Sequence, residues 1–306
     1  MRRIPYGKKQ KRGKVIGGII IILVPVLFSG YMGSCISSLN AFADELNRSE
    51  IDYGSLIPAN YSRMAEMVNE MEFYMMRDNL PLNYTLTAYW NQNFTEINAY
   101  GVSGDAAIWT GMTLAMASFR YAAKKQNGNQ TEIDESLAFI KRMIHGVSLL
   151  LAVPNGGIGP SYPGVLARSV SPKNWTDSNP PIYHYDYSTG ADDIDVFDGV
   201  GEYEDWLWIG YPSLDQYSGI IMGISVTSAL VNDNWVQGRM RLLSSQIIEH
   251  FRKTDWYLTD GNDRTTGQTF KWKPEHSSFW VLSTIFMGVL SDPAKYQSLY
   301  HHWAYD

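Results

Sequence analysis

Three stretches without a single charged side chain constrain this chain more than any other feature: residues 106–119 (AAIWTGMTLAMASF), 216–232 (QYSGIIMGISVTSALVN) and 277–291 (SSFWVLSTIFMGVLS). Their mixture of apolar and small residues predicts helices. At about 14 to 17 residues each they fall short of the roughly 20 that a bilayer crossing needs, so buried helices are favoured over membrane spans. A helix with no polar face must be covered on every side, whereas a one-faced helix can lie between core and water. Helices of the second kind alternate with the first: residues 132–152 carry Glu132, Asp134, Glu135, Lys141 and Arg142, and residues 235–253 carry Arg239, Arg241, Glu249, Arg252 and Lys253. Residues 61–78 form another of these. The alternation predicts an all-α fold of helical hairpins in two layers, an inner ring of apolar helices inside an outer amphipathic one, which is the α/α toroid arrangement. Turn signals agree, with Asn127-Gly128 inside the first hairpin and Asn232-Asp233-Asn234 inside the second. Asp105 after Gly104 is the expected N-cap of the first inner helix, and Ser213 with Gln216 three residues on reads as a capping box for the next.

Residues 154–212 break the helical pattern. This Gly- and Pro-rich insertion gathers tyrosines, tryptophans and acids between positions 183 and 208. Connections of such length inside a compact domain usually serve function or hold short strands of their own. It joins an outer helix to the next inner one, and so is expected over one mouth of the ring.

The N-terminus is organised differently. Seven of the 25 basic residues fall in the first fourteen positions, and the remaining 292 residues hold 18 basic against 31 acidic groups, a balance of -13. Such a body repels phosphate backbones, which argues against nucleic-acid binding. Residues 15–36 then contain no charge and have an apolar centre. Residues 1–43 therefore read as a cytoplasmic basic flank with a membrane segment, and residues 44–306 as an extracellular domain. Three versions stay open: a retained anchor, a signal cleaved near Ala41-Phe42-Ala43, and lipidation at Cys35. Six N-x-[ST] sequons, at Asn47, Asn60, Asn83, Asn93, Asn129 and Asn174, exceed the two or three that chance predicts and suit an exported glycoprotein. Cys35 is the only cysteine, which excludes an intramolecular disulfide framework and a cysteine-held zinc or iron–sulfur site.

Several segments in order carry a resemblance. They are Gly104-Asp105-Ala106-Ala107-Ile108-Trp109-Thr110-Gly111, then Gly164-Val165-Leu166-Ala167-Arg168, then Ser213-Leu214-Asp215-Gln216-Tyr217-Ser218-Gly219, then Leu258-Thr259-Asp260-Gly261 with Thr265-Thr266-Gly267. Over about two thirds of the chain this resembles the six-hairpin glycosidase-like superfamily, and within it a branch of secreted bacterial proteins. The resemblance implies an (α/α)6 toroid and polysaccharide or glycoside chemistry, although fold alone does not fix function. Twelve helices would complete such a ring, and six or seven are countable here. The expectation is therefore a partial toroid whose remaining half comes from a second chain or from self-assembly.

Inner helices that run parallel bring Asp105 and Asp215 to one mouth. The positive helix ends favour ionised carboxylates, suited to a general base and ill suited to a general acid. Glu202 and Glu204, among Tyr203, Trp206 and Trp208, are the candidate acids, since aromatic desolvation raises a carboxyl pKa. Paired carboxylates are what glycoside hydrolysis requires. Arg168 is placed to clamp an anionic sugar or to bridge to an aspartate, and Gln216, Tyr217, Trp206 and Trp208 are candidate sugar contacts. Each acid also has a plain reading, as a helix cap or a solvated loop residue. No cofactor is implied. Asp192, Asp193, Asp195 and Asp198 invite a calcium reading, but their spacing misses the EF-hand pattern. Two function classes emerge: a surface-anchored or secreted glycoside hydrolase-like protein, and a non-catalytic structural or glycan-binding surface subunit.

Overall fold

The computed structural model describes residues 61–102, 104–178, 180–184, 196–261, 264–271 and 274–305. The basic flank, the uncharged segment 15–36, Asn47, Asn60, Asp192, Asp193 and Asp195 lie outside the described residues. The chain divides into two compact units, Met1–Met64 and Ala65–Asp306. Of the first, only the opening turn of helix α1 (Tyr61–Asp78) is described.

The second unit is helix-rich. After α1 come α2 (Ala106–Asn127), α3 (Gln130–Asn155), α4 (Leu214–Leu230), α5 (Asn234–Lys253), α6 (Pro274–Ser291) and α7 (Pro293–Tyr305). They form three consecutive hairpins: α2 lies along α4 and α4 along α6, and each is backed by the helix that follows it. The predicted turns hold. Gly128 closes α2 with a left-handed φ of 74°, and the Asn129 side chain accepts from Glu132 N to start α3.

Helices α2 and α4 are parallel and unusually close. A methyl group at Gly111 would lie 2.0 Å from Gly219 O, one at Gly219 would lie 2.5 Å from Ile108 O, and one at Gly223 would lie 2.5 Å from Gly111 O. Further along, Ser118 Oγ meets Thr227 Oγ1 at 2.8 Å. Residue numbers rise together in both helices, so their N-termini share one end. The small residues are required here because any side chain at the crossing would meet backbone rather than a movable neighbour.

The all-α expectation needs correction, because eight short strands make three small sheets among the described residues. Strands β1 (Thr87–Trp90) and β2 (Ile97–Val102) form an antiparallel hairpin, and β4 (Ile182–His184) pairs parallel to β2. Within the long insertion, β3 (Val170–Pro172) and β5 (Val196–Asp198) flank β6 (Trp206–Ile209), both antiparallel to it, with Val170 opposite Trp208. Strands β7 (Tyr257–Thr259) and β8 (Thr265–Thr269) make a second hairpin. Strands of three to six residues are too short to leave a period-two pattern, and two of the pairings, β2 with β4 and β3 with β6, close across long stretches of chain.

One buried core unites these parts. Tyr217 on α4 is 0% exposed; its hydroxyl donates to Gly164 O at 2.8 Å and accepts from Leu166 N at 3.1 Å, tying the insertion to the inner helices. Burial raises its pKa, so the phenol stays neutral. Tyr217→Phe is expected to lower stability by about 1–3 kcal/mol, read as a shift in the denaturant midpoint, because both backbone partners lose their bond without access to water. Among the described residues one helix, α3, is long and apolar enough to cross a membrane, and more than half of its most apolar stretch is buried.

Candidate functional site

Asp105 and Asp215 sit at the shared N-terminal end of α2 and α4. Asp105 is exposed and stands at the N-cap position, yet its carboxylate makes no capping bond to its own helix. The second amide of α2, Ala107 N, donates instead to the Arg168 carbonyl at 3.0 Å. The Asp105 carboxylate is held from the neighbouring helix, where Gln216 Nε2 donates to its Oδ1 at 3.2 Å and to Gly104 O at 3.1 Å. Gln216 is 1% exposed, and its Oε1 accepts from Ser213 N at 2.6 Å, the return half of the predicted capping box. The first amide of α4, Leu214 N, donates to Gln268 Oε1 at 3.1 Å. Asp215 is exposed one residue further on. One amide at each helix start thus takes its partner from elsewhere, and Asp215 lies inside α4, beyond the Ser213 that caps it.

Arg168 joins this end. Its Nε donates to Tyr211 O at 2.7 Å and its Nη1 to Gly104 O at 3.4 Å. It forms no ion pair with either aspartate, so the expected bridge is absent. One helical turn from Asp105 on the same face, Trp109 is 50% exposed, and it begins an exposed stripe continued by Met112, Met116 and Phe119. Met222 on α4 and Phe279 and Phe286 on α6 are exposed as well. A cavity of about 390 Å³ opens between α4 and α6, lined by Ser218, Met222, Phe279, Trp280 and Phe286 among others.

The other expected site residues are placed differently. Trp208 is 1% exposed, stacked on Phe197 at 4.7 Å, with its indole N–H on Asp198 O at 3.0 Å. Neither it nor the buried Tyr217 offers a face to a sugar, so both belong to the framework. Trp206 is half-buried and packs edge-on against Tyr203. Glu202 and Glu204 are exposed, so the aromatic desolvation expected of a catalytic acid is missing. Glu202 lines a separate groove of about 360 Å³ with His145, Tyr203 and Arg239, which contains neither Asp105 nor Asp215. Burial and then the Glu202 hydrogen bond and charge raise the Tyr203 pKa there, against a smaller lowering by Arg239.

Among the described residues no group of three His, Cys, Asp or Glu is arranged to hold a metal. Asp198, the described member of the acidic run, pairs with Lys173 at 2.6 Å. Of the sequons, Asn93, Asn129 and Asn174 are exposed, while Asn83 is half-buried and accepts from Arg142 Nε at 3.0 Å. Trp109 and Gln268 are the site residues that sequence reasoning missed. Trp109 carried a signal, the four-residue step from Asp105; Gln268 carried none, since its contact closes over 54 positions. Comparison with protein-family models, with curated proteins and with solved structures finds no match.

Proposed function

We propose that this chain is a surface-anchored or secreted carbohydrate-active protein of the glycoside hydrolase-like kind, its three hairpins forming part of an α/α toroid. One observation carries the reading: Asp105 and Asp215 stand exposed at the same end of two parallel helices, Asp105 without a capping bond to its own helix and Asp215 beyond the Ser213 cap. Two carboxylates at one mouth suit a water-activating base and a hydroxyl acceptor. Gln216 is the positioning residue that holds Asp105, and Trp109 gives a sugar ring a flat apolar partner. In this reading residues 15–36 hold the chain at a membrane or direct its export, and the exposed sequons Asn93, Asn129 and Asn174 take glycans.

The uncovered stripe of Trp109, Met112, Met116 and Phe119 favours a second reading, in which the protein is a non-catalytic glycan-binding or structural subunit completed by another copy or a partner chain. Reducing-end release from a panel of neutral and acidic polysaccharides separates the two. The first reading expects release by the wild type and none by the Asp105→Asn, Asp215→Asn double variant. No release, together with a stable oligomer in light scattering, would decide for the second.

A further inference from the structure

We propose that the groove between α3, α5 and the insertion is a second binding site, away from Asp105 and Asp215, for a free α-amino acid with an aliphatic side chain. Leu149 stands on α3, Arg239 on α5, Ile158 in the loop that leaves α3, and Glu202 and Tyr203 on the short turn Gly201–Tyr203; all line this groove of about 360 Å³. It holds charges of both signs that are not spent on each other. Arg239 is half-buried and rests over the Trp235 ring at 5.4 Å, a contact that takes none of its N–H donors. Among the described residues it forms no hydrogen bond and no ion pair. Glu202 is exposed and shares a hydrogen bond with Tyr203, and among the described residues it too has no cationic partner. Both charges act on the Tyr203 phenol, with opposite sign, so the two ions border one side chain without pairing.

That arrangement selects a ligand by charge. A half-buried guanidinium has given up hydration that no counter-ion in the described chain replaces, and a carboxylate restores it through two parallel N–H bonds. Glu202 repels a lone anion, a phosphate dianion most of all, and Arg239 repels a lone cation. A zwitterion escapes both penalties, because its carboxylate faces Arg239 while its ammonium donates to Glu202. In an α-amino acid the two groups hang on one carbon, which suits two ions that border one phenol. Asn83 adds an amide to the groove: its Oδ1 accepts from Arg142 Nε at 3.0 Å, and its Nδ2 has no partner among the described residues. Leu149 and Ile158, both half-buried, give an aliphatic side chain an apolar wall on which to shed water. The volume stands at the low end of small-molecule sites, enough for one amino acid and short for an oligosaccharide.

The test is calorimetric titration of the full chain with leucine, isoleucine, valine and methionine, each beside its N-acetyl and its carboxamide derivative, with a neutral oligosaccharide and inorganic phosphate as further probes. At least one free amino acid is expected to bind. Blocking either end should weaken it about 10-fold or more, the usual worth of a hydrogen bond to a charged group. Arg239→Gln should erase the difference between acid and amide, and Glu202→Gln the difference between free and acetylated amine. Unfolding midpoints are recorded beside the titrations; if either variant fails to fold, the blocked derivatives on the wild type decide. No binding of any free amino acid, blocked forms that bind as tightly as free ones, binding of the oligosaccharide or phosphate alone, or full discrimination by the folded variants overturns the proposal. Each of these results leaves the carbohydrate reading standing, since that is scored by reducing-end release at the other site.

Discussion

Gly111→Val is expected to destabilise the protein by about 3 kcal/mol or more, at the upper end of what overpacking costs, and to prevent folding if the margin is small. A methyl at this position would already lie 2.0 Å from Gly219 O and 2.1 Å from Gly219 C. Those atoms belong to helix backbone and cannot rotate away as a side chain does. Relief therefore requires α2 and α4 to separate along their length, which opens the buried Ser118–Thr227 hydrogen bond of 2.8 Å and thins the contacts around Leu114 and Ile220, both 0% exposed. Thermal and urea unfolding of the purified variant measure the loss. Gly238→Val is a fitting control, since nothing lies within 4 Å of a methyl there. That change should leave stability unchanged or raise it by a few tenths of a kcal/mol, because valine has the better helix propensity of the two. Equal stability of both variants would show that the crossing is looser than described.

Asp105→Asn is expected to reduce glycan hydrolysis by about 10²- to 10⁴-fold, the usual contribution of a general base, with the unfolding midpoint nearly unchanged. The separation of the two effects follows from the local bonding. Ala107 N takes its partner from Arg168 O at 3.0 Å and Asp105 makes no capping bond, so removing the Asp105 charge breaks no bond at the start of α2. The asparagine oxygen can still accept from Gln216 Nε2, which keeps the side chain in place. Gln216→Leu is the complementary change: it leaves the carboxylate but removes its support and the bond to Ser213 N. It should therefore lower activity and stability together. A variant Asp105→Asn that hydrolyses as fast as wild type would sink the catalytic reading outright.

What could be read from the chain beforehand was set by how local each signal is. The uncharged runs marked α2, α4 and α6 because apolar and small residues are what lets these helices pack side by side, although the covering on every side that the runs predicted is missing: Trp109, Met112, Met116, Phe119, Met222, Phe279 and Phe286 are exposed. The hairpin turns were legible because Gly128 with its left-handed backbone writes directly into one position. Asp105 and Asp215 at one end followed from parallel helices, a rule of arrangement rather than of any single residue. Asp105 stands at the N-cap as its position predicted, but its side chain makes no capping bond, and the Arg168 carbonyl that takes the Ala107 amide reaches it across some sixty positions. Trp208 and Tyr217 were misplaced for a related reason. Composition marks an aromatic residue as able to stack on a sugar, but only the pairing of β6 with β3 and β5, and the anchoring of the phenol to Gly164 and Leu166, decide that these two face inward. Short strands in the insertion were an open expectation, but their positions were not legible, because each is three or four residues long, β3 meets β6 across a long loop and β4 pairs with β2 outside the insertion.

The uncovered stripe has a chemical consequence of its own. Met112, Met116 and Met222 stand in solvent, whereas Met143, Met240 and Met287 are each 0% exposed. Thioether oxidation follows access, so mild peroxide should convert the first three to sulfoxides and leave the second three intact. Each sulfoxide turns an apolar, pliant side chain into a polar one on the very face that a covering helix would need to be greasy. The redox history of a preparation therefore sets how that face behaves. Material kept reduced and material left in air are expected to differ in self-association while sharing the same core.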